Sequence, residues 1–195
     1  MTYPRATGTP RGDARRRELL DAVADDVATH GLADFSLRRA ARAAGTTHKV
    51  LLYHFAGADA LLAAVVAELR ARRIGRGVGD AVAGAGPDLA TRLRAMWEVL
   101  TGPEETALLQ AMGLALQDPE RHAPLVAGSN EQYLDTLRAL CPDDWSDARR
   151  TEVAQLVLAA LRGLLLARRT GSSEDDVDAG LRALERTVAR EIAAD

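Results

Sequence analysis

Alanine and leucine dominate the apolar residues of this 195-residue chain: 38 Ala and 28 Leu stand against 13 Val and 2 Ile. Ala and Leu lose little freedom in a helix, whereas a sheet draws on β-branched and aromatic residues, and aromatics make up 4% of the chain. The sequence therefore reads as all-α. Hydrophobic residues at 47% and charged residues at 27% are globular proportions, and the length suits one ordinary domain, or one domain with a small module attached. The single cysteine, Cys141, excludes a disulfide framework and any Cys-rich zinc site. Residues 1–13 are polar and hold no apolar core of a signal peptide. The longest apolar run, 153–167, is interrupted by Gln155 and Arg162 and falls short of the roughly 20 residues a membrane span needs. These features predict a soluble, cytoplasmic protein with no membrane partner.

Charge is unevenly placed. Residues 1–76 carry 13 basic and 8 acidic side chains, a net of +5, while residues 77–195 carry 12 and 20, a net of −8. A basic front joined to an acidic back suggests a segment that meets phosphate and a body that does not; chance unevenness is the plainer alternative.

Helical periodicity and breakers divide the chain into about nine helices. Residues 1–13 read as a flexible arm. From Ala14 to about His30, Leu19, Leu20, Val23 and Val27 share a face, and Gly31 ends the helix. Ser36 is placed to cap a helix over 37–44, Gly45 breaks it, and Thr46-Thr47 can cap a third helix running to about Phe55. Asp59 is the cap candidate of a long helix bearing Leu61, Leu62, Val65, Val66 and Leu69. The Gly-rich stretch 75–87 reads as a loop or frayed end; its glycine run brushes a phosphate-loop pattern but no strand precedes it. Further helices are expected near 88–101, 104–117, 129–140, 147–169 and 174–193, punctuated by Pro103, Pro119, Pro124, Pro142 and Gly171.

Two short helices joined by a tight turn at Gly45 form a helix-turn-helix pattern, whose second helix can enter a DNA major groove. Val50, Leu51 and Phe55 can pack on Leu37, Ala40, Ala41 and Ala44, the small alanines allowing close approach. The opposite face presents Thr47, His48, Lys49, Leu52 and Tyr53, and Lys49 is the one lysine of the whole chain. A small amphipathic hairpin with solvated polar residues would show the same pattern.

The stretches Arg16-Arg17-Glu18-Leu19-Leu20-Asp21-Ala22-Val23, Gly31-Leu32, Phe35-Ser36-Leu37-Arg38-Arg39-Ala40-Ala41, Ala44-Gly45-Thr46-Thr47, Leu51-Leu52-Tyr53-His54-Phe55 and Asp59-Ala60-Leu61-Leu62 together resemble the N-terminal domain of the TetR family of transcriptional regulators. The resemblance covers about residues 14–70. It implies a three-helix DNA-binding head at 14–58, after the arm at 1–13, and a helical ligand-binding and dimerisation bundle at 59–195. It also implies a homodimer that binds palindromic double-stranded DNA, represses by default, and releases on binding a small-molecule effector. Carried onto this sequence, Thr46, Thr47, His48, Lys49, Leu52 and Tyr53 are expected at bases or nearby phosphates, and Ser36 and His54 at phosphates. Lys49 can donate to guanine O6 or N7, and helix-start hydroxyls and N–H groups suit phosphate. Three departures stand out. Leu52 replaces the usual Tyr, Lys49 replaces a common small residue, and Ala58 replaces the lysine that commonly opens the fourth helix. Arg38, Arg39 or Arg42 could supply the missing phosphate contact, and Arg5 or Arg11 could reach a minor groove; solvated arginines are the plainer reading.

In the body, Met96, Trp97, Leu100, Leu108, Met112, Leu116 and Tyr133 are candidate pocket residues, with plain core as the alternative for each. So few aromatics favour a largely aliphatic effector over a caged cation. The stripe Val153, Leu156, Val157, Ala160, Leu161, Leu164, Leu165 and a second of Val177, Leu181, Leu184, Val188, Ile192 suit a four-helix dimer interface. Both faces could instead be consumed within one subunit. No catalytic or metal-binding spacing joins His30, His48, His54, His122 or Cys141, so neither an enzyme nor a cofactor is expected. The competing function is a helical small-molecule-binding protein whose head no longer grips DNA.

Overall fold

The computed structural model describes residues 9–78 and 88–193, and every regular element among them is helical. Helix α1 spans Pro10–His30, α2 Leu37–Ala43, α3 His48–His54 and α4 Ala58–Arg72, which continues into a π-helical turn at Arg73–Val78. Then follow α5 Leu89–Leu100, α6 Glu105–Gln117, α7 Pro119–Val126, α8 Ser129–Arg138, α9 Asp147–Arg169 and α10 Glu174–Ala193.

Three of these differ from the periodicity reading. Helix α1 starts four residues before Ala14, so residues 10–13 are helix rather than arm. The Thr9 hydroxyl accepts from the Gly12 N–H at 3.2 Å, and Pro10 takes the first position, where a missing N–H costs nothing. Residues 1–8, with Arg5, lie outside the described residues. Helix α7 occupies a stretch where Pro119 and Pro124 read as punctuation. Pro119 sits in its first turn, and the Asp118 carboxylate accepts from the Arg121 N–H at 3.1 Å. At Gly75 the chain stays wound in the π-helical turn instead of opening into a loop; the remainder of the predicted loop, 79–87, lies outside the described residues.

The chain divides into two compact units, Met1–Ala71 with Pro103–Ala127 and Arg72–Gly102 with Gly128–Asp195. This differs from the linear division at residue 58, and the reason is a continuous core. Leu19, Val23 and Val27 of α1, Ala40 and Ala41 of α2, Leu51 of α3 and Leu61, Val65 and Leu69 of α4 pack in one cluster with Ala107, Leu108 and Ala111 of α6 and Leu125 of α7. A boundary after residue 58 would expose both sides of that cluster. Helix ends within this unit are tied by side chains distant in sequence. Arg70 of α4 is 4% exposed, and its guanidinium donates to Leu125 O at 2.7 Å and Ala127 O at 2.9 Å, closing the carboxyl end of α7. Gln110 of α6 accepts from the Leu32 N–H at 2.6 Å, just past α1.

In the second unit α9 and α10 pair closely. A Cβ at Gly180 would lie 2.6 Å from Leu164 Cδ2, so glycine lets the leucine seat against the α10 backbone. Arg94 of α5 forks onto Glu185 of α10 at 2.8 and 3.1 Å and reaches Asp178 at 3.0 Å. Arg73 donates to Leu100 O at 2.8 Å, closing the end of α5.

Replacing Arg70 by Ala leaves two helix-end carbonyls without their donor and is expected to lower stability by about 2–4 kcal/mol in denaturant unfolding. Arg70→Lys is expected to restore little of this, because a point charge cannot fork across two carbonyls.

Candidate nucleic-acid interface

The head builds its turn from local chemistry. Ser36 sits in extended conformation at the start of α2, and its hydroxyl accepts from the Arg39 N–H at 3.2 Å while keeping its own O–H free to donate. At the other end, the Gly45 N–H donates to Arg42 O at 3.2 Å and the Thr46 N–H to Ala41 O at 2.9 Å. Gly45 has φ +56°, a left-handed conformation that closes the helix in this paired pattern and favours glycine. The chain then re-enters α3 with Thr47 as its extended N-cap residue. Unlike Thr9 and Ser36, Thr47 makes no side-chain cap bond.

Packing fixes which way α3 faces. Leu51 is fully buried and Phe55 nearly so, against buried Ala40 and Ala41, with Leu37, Ala44 and Val50 partly buried around them. The helical repeat therefore turns Lys49, Leu52 and Tyr53 outward, Thr47 and His48 stand at the start of the helix, and all five are exposed. Leu52 at 46% and Tyr53 at 49% are large apolar groups left to solvent on a helix of seven residues. Ser36 is exposed beside them, while Thr46 and His54 are half-buried.

The arginines suggested as phosphate donors divide. Arg39 is committed to the corner between α1 and α2: its guanidinium donates to Asp26 Oδ2 at 2.7 Å, Ala33 O at 2.7 Å and Gly31 O at 3.0 Å. It is thus a structural staple and not a free cation. Arg38, Arg42 and Arg11 are exposed. Asp59 is not a cap; it lies in the first turn of α4, where a negative charge suits the helix start, and pairs with Arg121 at 3.1 Å. Two arginines that sequence reasoning did not single out stand beside the end of α3. Arg16 of α1 lies over the Phe55 ring at 4.7 Å. The His54 imidazole is held below its usual pKa by partial burial and then by the positive fields of Arg15 and Arg16. Their positions in sequence could have placed them on an exposed face of α1, but only packing brings them to His54.

The candidate pocket residues do not come together within one unit. Met96, Trp97, Leu100 and Tyr133 belong to the second unit, and Leu108, Met112 and Leu116 to the first. Leu108 is part of the core shared with α1–α4, and Leu116 is 81% exposed. Met96 and Leu100 are buried in the second unit. Tyr133 carries the Arg162 guanidinium 5.9 Å from its ring centre. Trp97 lines a cleft of about 250 Å³ together with Thr101, Arg168, Glu174, Val177 and Asp178, a mainly polar wall. Among the described residues no group of three His, Cys, Asp or Glu side chains is placed to hold a metal ion. No single helix among them is long and apolar enough to cross a membrane.

The residues named for a dimer interface also separate. Val157, Leu161, Leu181, Leu184 and Val188 are buried within the subunit, and Leu164 packs on Gly180. Leu156 remains 48% exposed, and Leu166, on the same face, 57%. Ala160, half-buried, and exposed Gly163 lie between them at helical spacing.

A tight-turned helix pair that buries one face and presents hydroxyl, cationic and aromatic groups on the other is the architecture of helix-turn-helix regulators. No family model and no curated protein matches the chain. Solved structures do. A TetR-family transcriptional regulator from Cytophaga hutchinsonii is 16% identical with a TM-score of 0.71, over 94% of this chain and 97% of that one. A TetR-family member from Streptomyces coelicolor A3 is 25% identical with a TM-score of 0.63, over 88% and 96%. The multidrug binding protein EbrR, in complex with imidazole, is 25% identical with a TM-score of 0.66, over 95% and 96%. The chain has the all-α fold of the TetR family of transcriptional regulators.

Because the folded head holds His54 below its unfolded pKa, the unfolded chain binds more protons as pH falls through about 6.5, and stability declines there. Unfolding followed from pH 8 to pH 5 is expected to show this decline, and His54→Gln is expected to flatten it.

Proposed function

We propose that the protein is a one-component transcriptional regulator that binds a palindromic duplex operator as a homodimer, represses by default, and is released by a small molecule bound in its helical body. The observation that carries this reading is the outward face of α3, where Thr47, His48, Lys49, Leu52 and Tyr53 are all exposed over a fully buried Leu51. Lys49 and His48 can read base edges, and the Leu52 side chain suits a thymine methyl. The hydroxyls of Ser36 and Thr47 suit phosphates, which position the head without choosing the sequence.

Dimerisation is assigned to α9 and α10, with the contact centred on the outer face of α9. Leu156, Ala160, Gly163 and Leu166 offer two large apolar groups around small ones that allow helices to approach. The buried stripe opposite them serves the subunit's own core. For the effector, the likeness to EbrR, described as multidrug binding and solved with ethidium at 24% identity, supports a small organic molecule. The scarcity of aromatics favours an aliphatic one. Release requires the effector to prefer a different arrangement of the heads, with a coupling typically of about 1–3 kcal/mol.

Selection of bound duplexes from a random pool tests the reading: a palindromic site whose affinity falls steeply with salt is expected. Enrichment of no duplex by a folded protein would instead favour a small-molecule-binding body with a silent head. Lys49→Ala combined with Tyr53→Ala is expected to abolish specific binding while leaving circular dichroism and oligomeric state unchanged. Leu156→Glu with Leu166→Glu is expected to give folded monomers by sedimentation, because charges buried at the contact have no partners.

A further inference from the structure

We propose that Arg15 and Arg16 of α1, together with His54, form a phosphate-gripping cluster that flanks the recognition helix on its carboxyl side. This rests on the reading that α3 enters duplex DNA. Three observations converge on it. Both arginines lie close enough to lower the pKa of His54, and Arg16 is held over the Phe55 ring at 4.7 Å, so its guanidinium is positioned at the end of α3 rather than free in solvent. Both are exposed, and His54 itself is half-buried beside exposed Tyr53. Arg15 is half-exposed and pairs at 2.8 Å with Glu18, a solvent-facing pair that a phosphate can replace at little cost.

The cluster also answers a gap in the head. Position 58, at the opening of α4, holds alanine and can offer no charge, and Arg39 is consumed by the α1–α2 corner. The guanidinium groups match phosphate geometry through paired N–H donors. Such contacts carry no base information. They set how deeply and at what angle α3 sits.

The test is the salt dependence of binding to the selected duplex for the full-length protein. Each phosphate contact removed lowers the slope of log affinity against log salt by about 0.9. Arg15→Ala, an exposed position, is expected to reduce the slope by about that amount in each head, and to weaken specific and random duplexes by the same factor. Glu18→Gln, which frees Arg15, is expected to tighten both severalfold. Arg16→Lys keeps charge but loses the flat guanidinium over Phe55, and is expected to weaken binding less than Arg16→Ala. An unchanged slope in Arg15→Ala, with wild-type protein binding a palindrome normally, overturns the cluster while sparing the reading beneath it. A wild-type protein that binds no duplex overturns both.

Discussion

Helix carboxyl ends leave carbonyls that face no donor of their own, and in this protein arginines from other parts of the chain close them. Arg39 reaches Gly31 and Ala33 past α1, Arg70 reaches Leu125 and Ala127 at α7, and Arg73 reaches Leu100 at α5. Arg92 reaches Leu140 beyond α8, and Arg149 reaches Glu191 in the last turn of α10. The contacts at Gly31, Leu100, Leu125 and Glu191 join a charge-assisted hydrogen bond to the negative end of a helix dipole. Because the donor comes from elsewhere in the chain, each bond also fixes the placement of one element against another. A lysine could neutralise such an end but not fork across it. In a chain with one lysine, that lysine is reserved for the outward face of α3.

The recognition turn depends on a different economy of size and backbone. Alanines at 40 and 41 leave room for Leu51 and Phe55, and the left-handed Gly45 turns the chain so that α3 leaves at the required angle. What is left outside is partly defined by exclusion: once Leu51 is buried, the helical repeat turns Lys49, Leu52 and Tyr53 away from it, while Thr47 and His48 are exposed at the start of the helix. The body follows the same rule at larger scale. Burial of Val157, Leu161 and Leu165 on one side of α9 leaves Leu156 and Leu166 on the other.

The head was largely legible in the sequence because its determinants are local. Ser36 caps within three residues, Gly45 acts on its own φ, and the Leu51–Phe55 spacing is a single helical turn. The dimer and pocket candidates were legible only as apolar periodicity, which does not distinguish a core side chain from one awaiting a partner. Leu108 and Leu116 show the difference: both are leucines of α6, one packed in the core of the first unit and the other 81% exposed.

The sequence by itself determined that the chain is helical, where most helices begin and end, and which residues face outward on α3, since propensity, capping and the helical repeat act over a few residues. Tertiary structure alone decided that α6 and α7 complete the core around the head helices, that Arg39 and Arg70 are staples, and that Arg15 and Arg16 stand beside His54. Those outcomes depend on contacts between residues tens of positions apart. A guanidinium on an exposed helix face and one buried against a distant carbonyl are written with the same letter, and packing assigns the role.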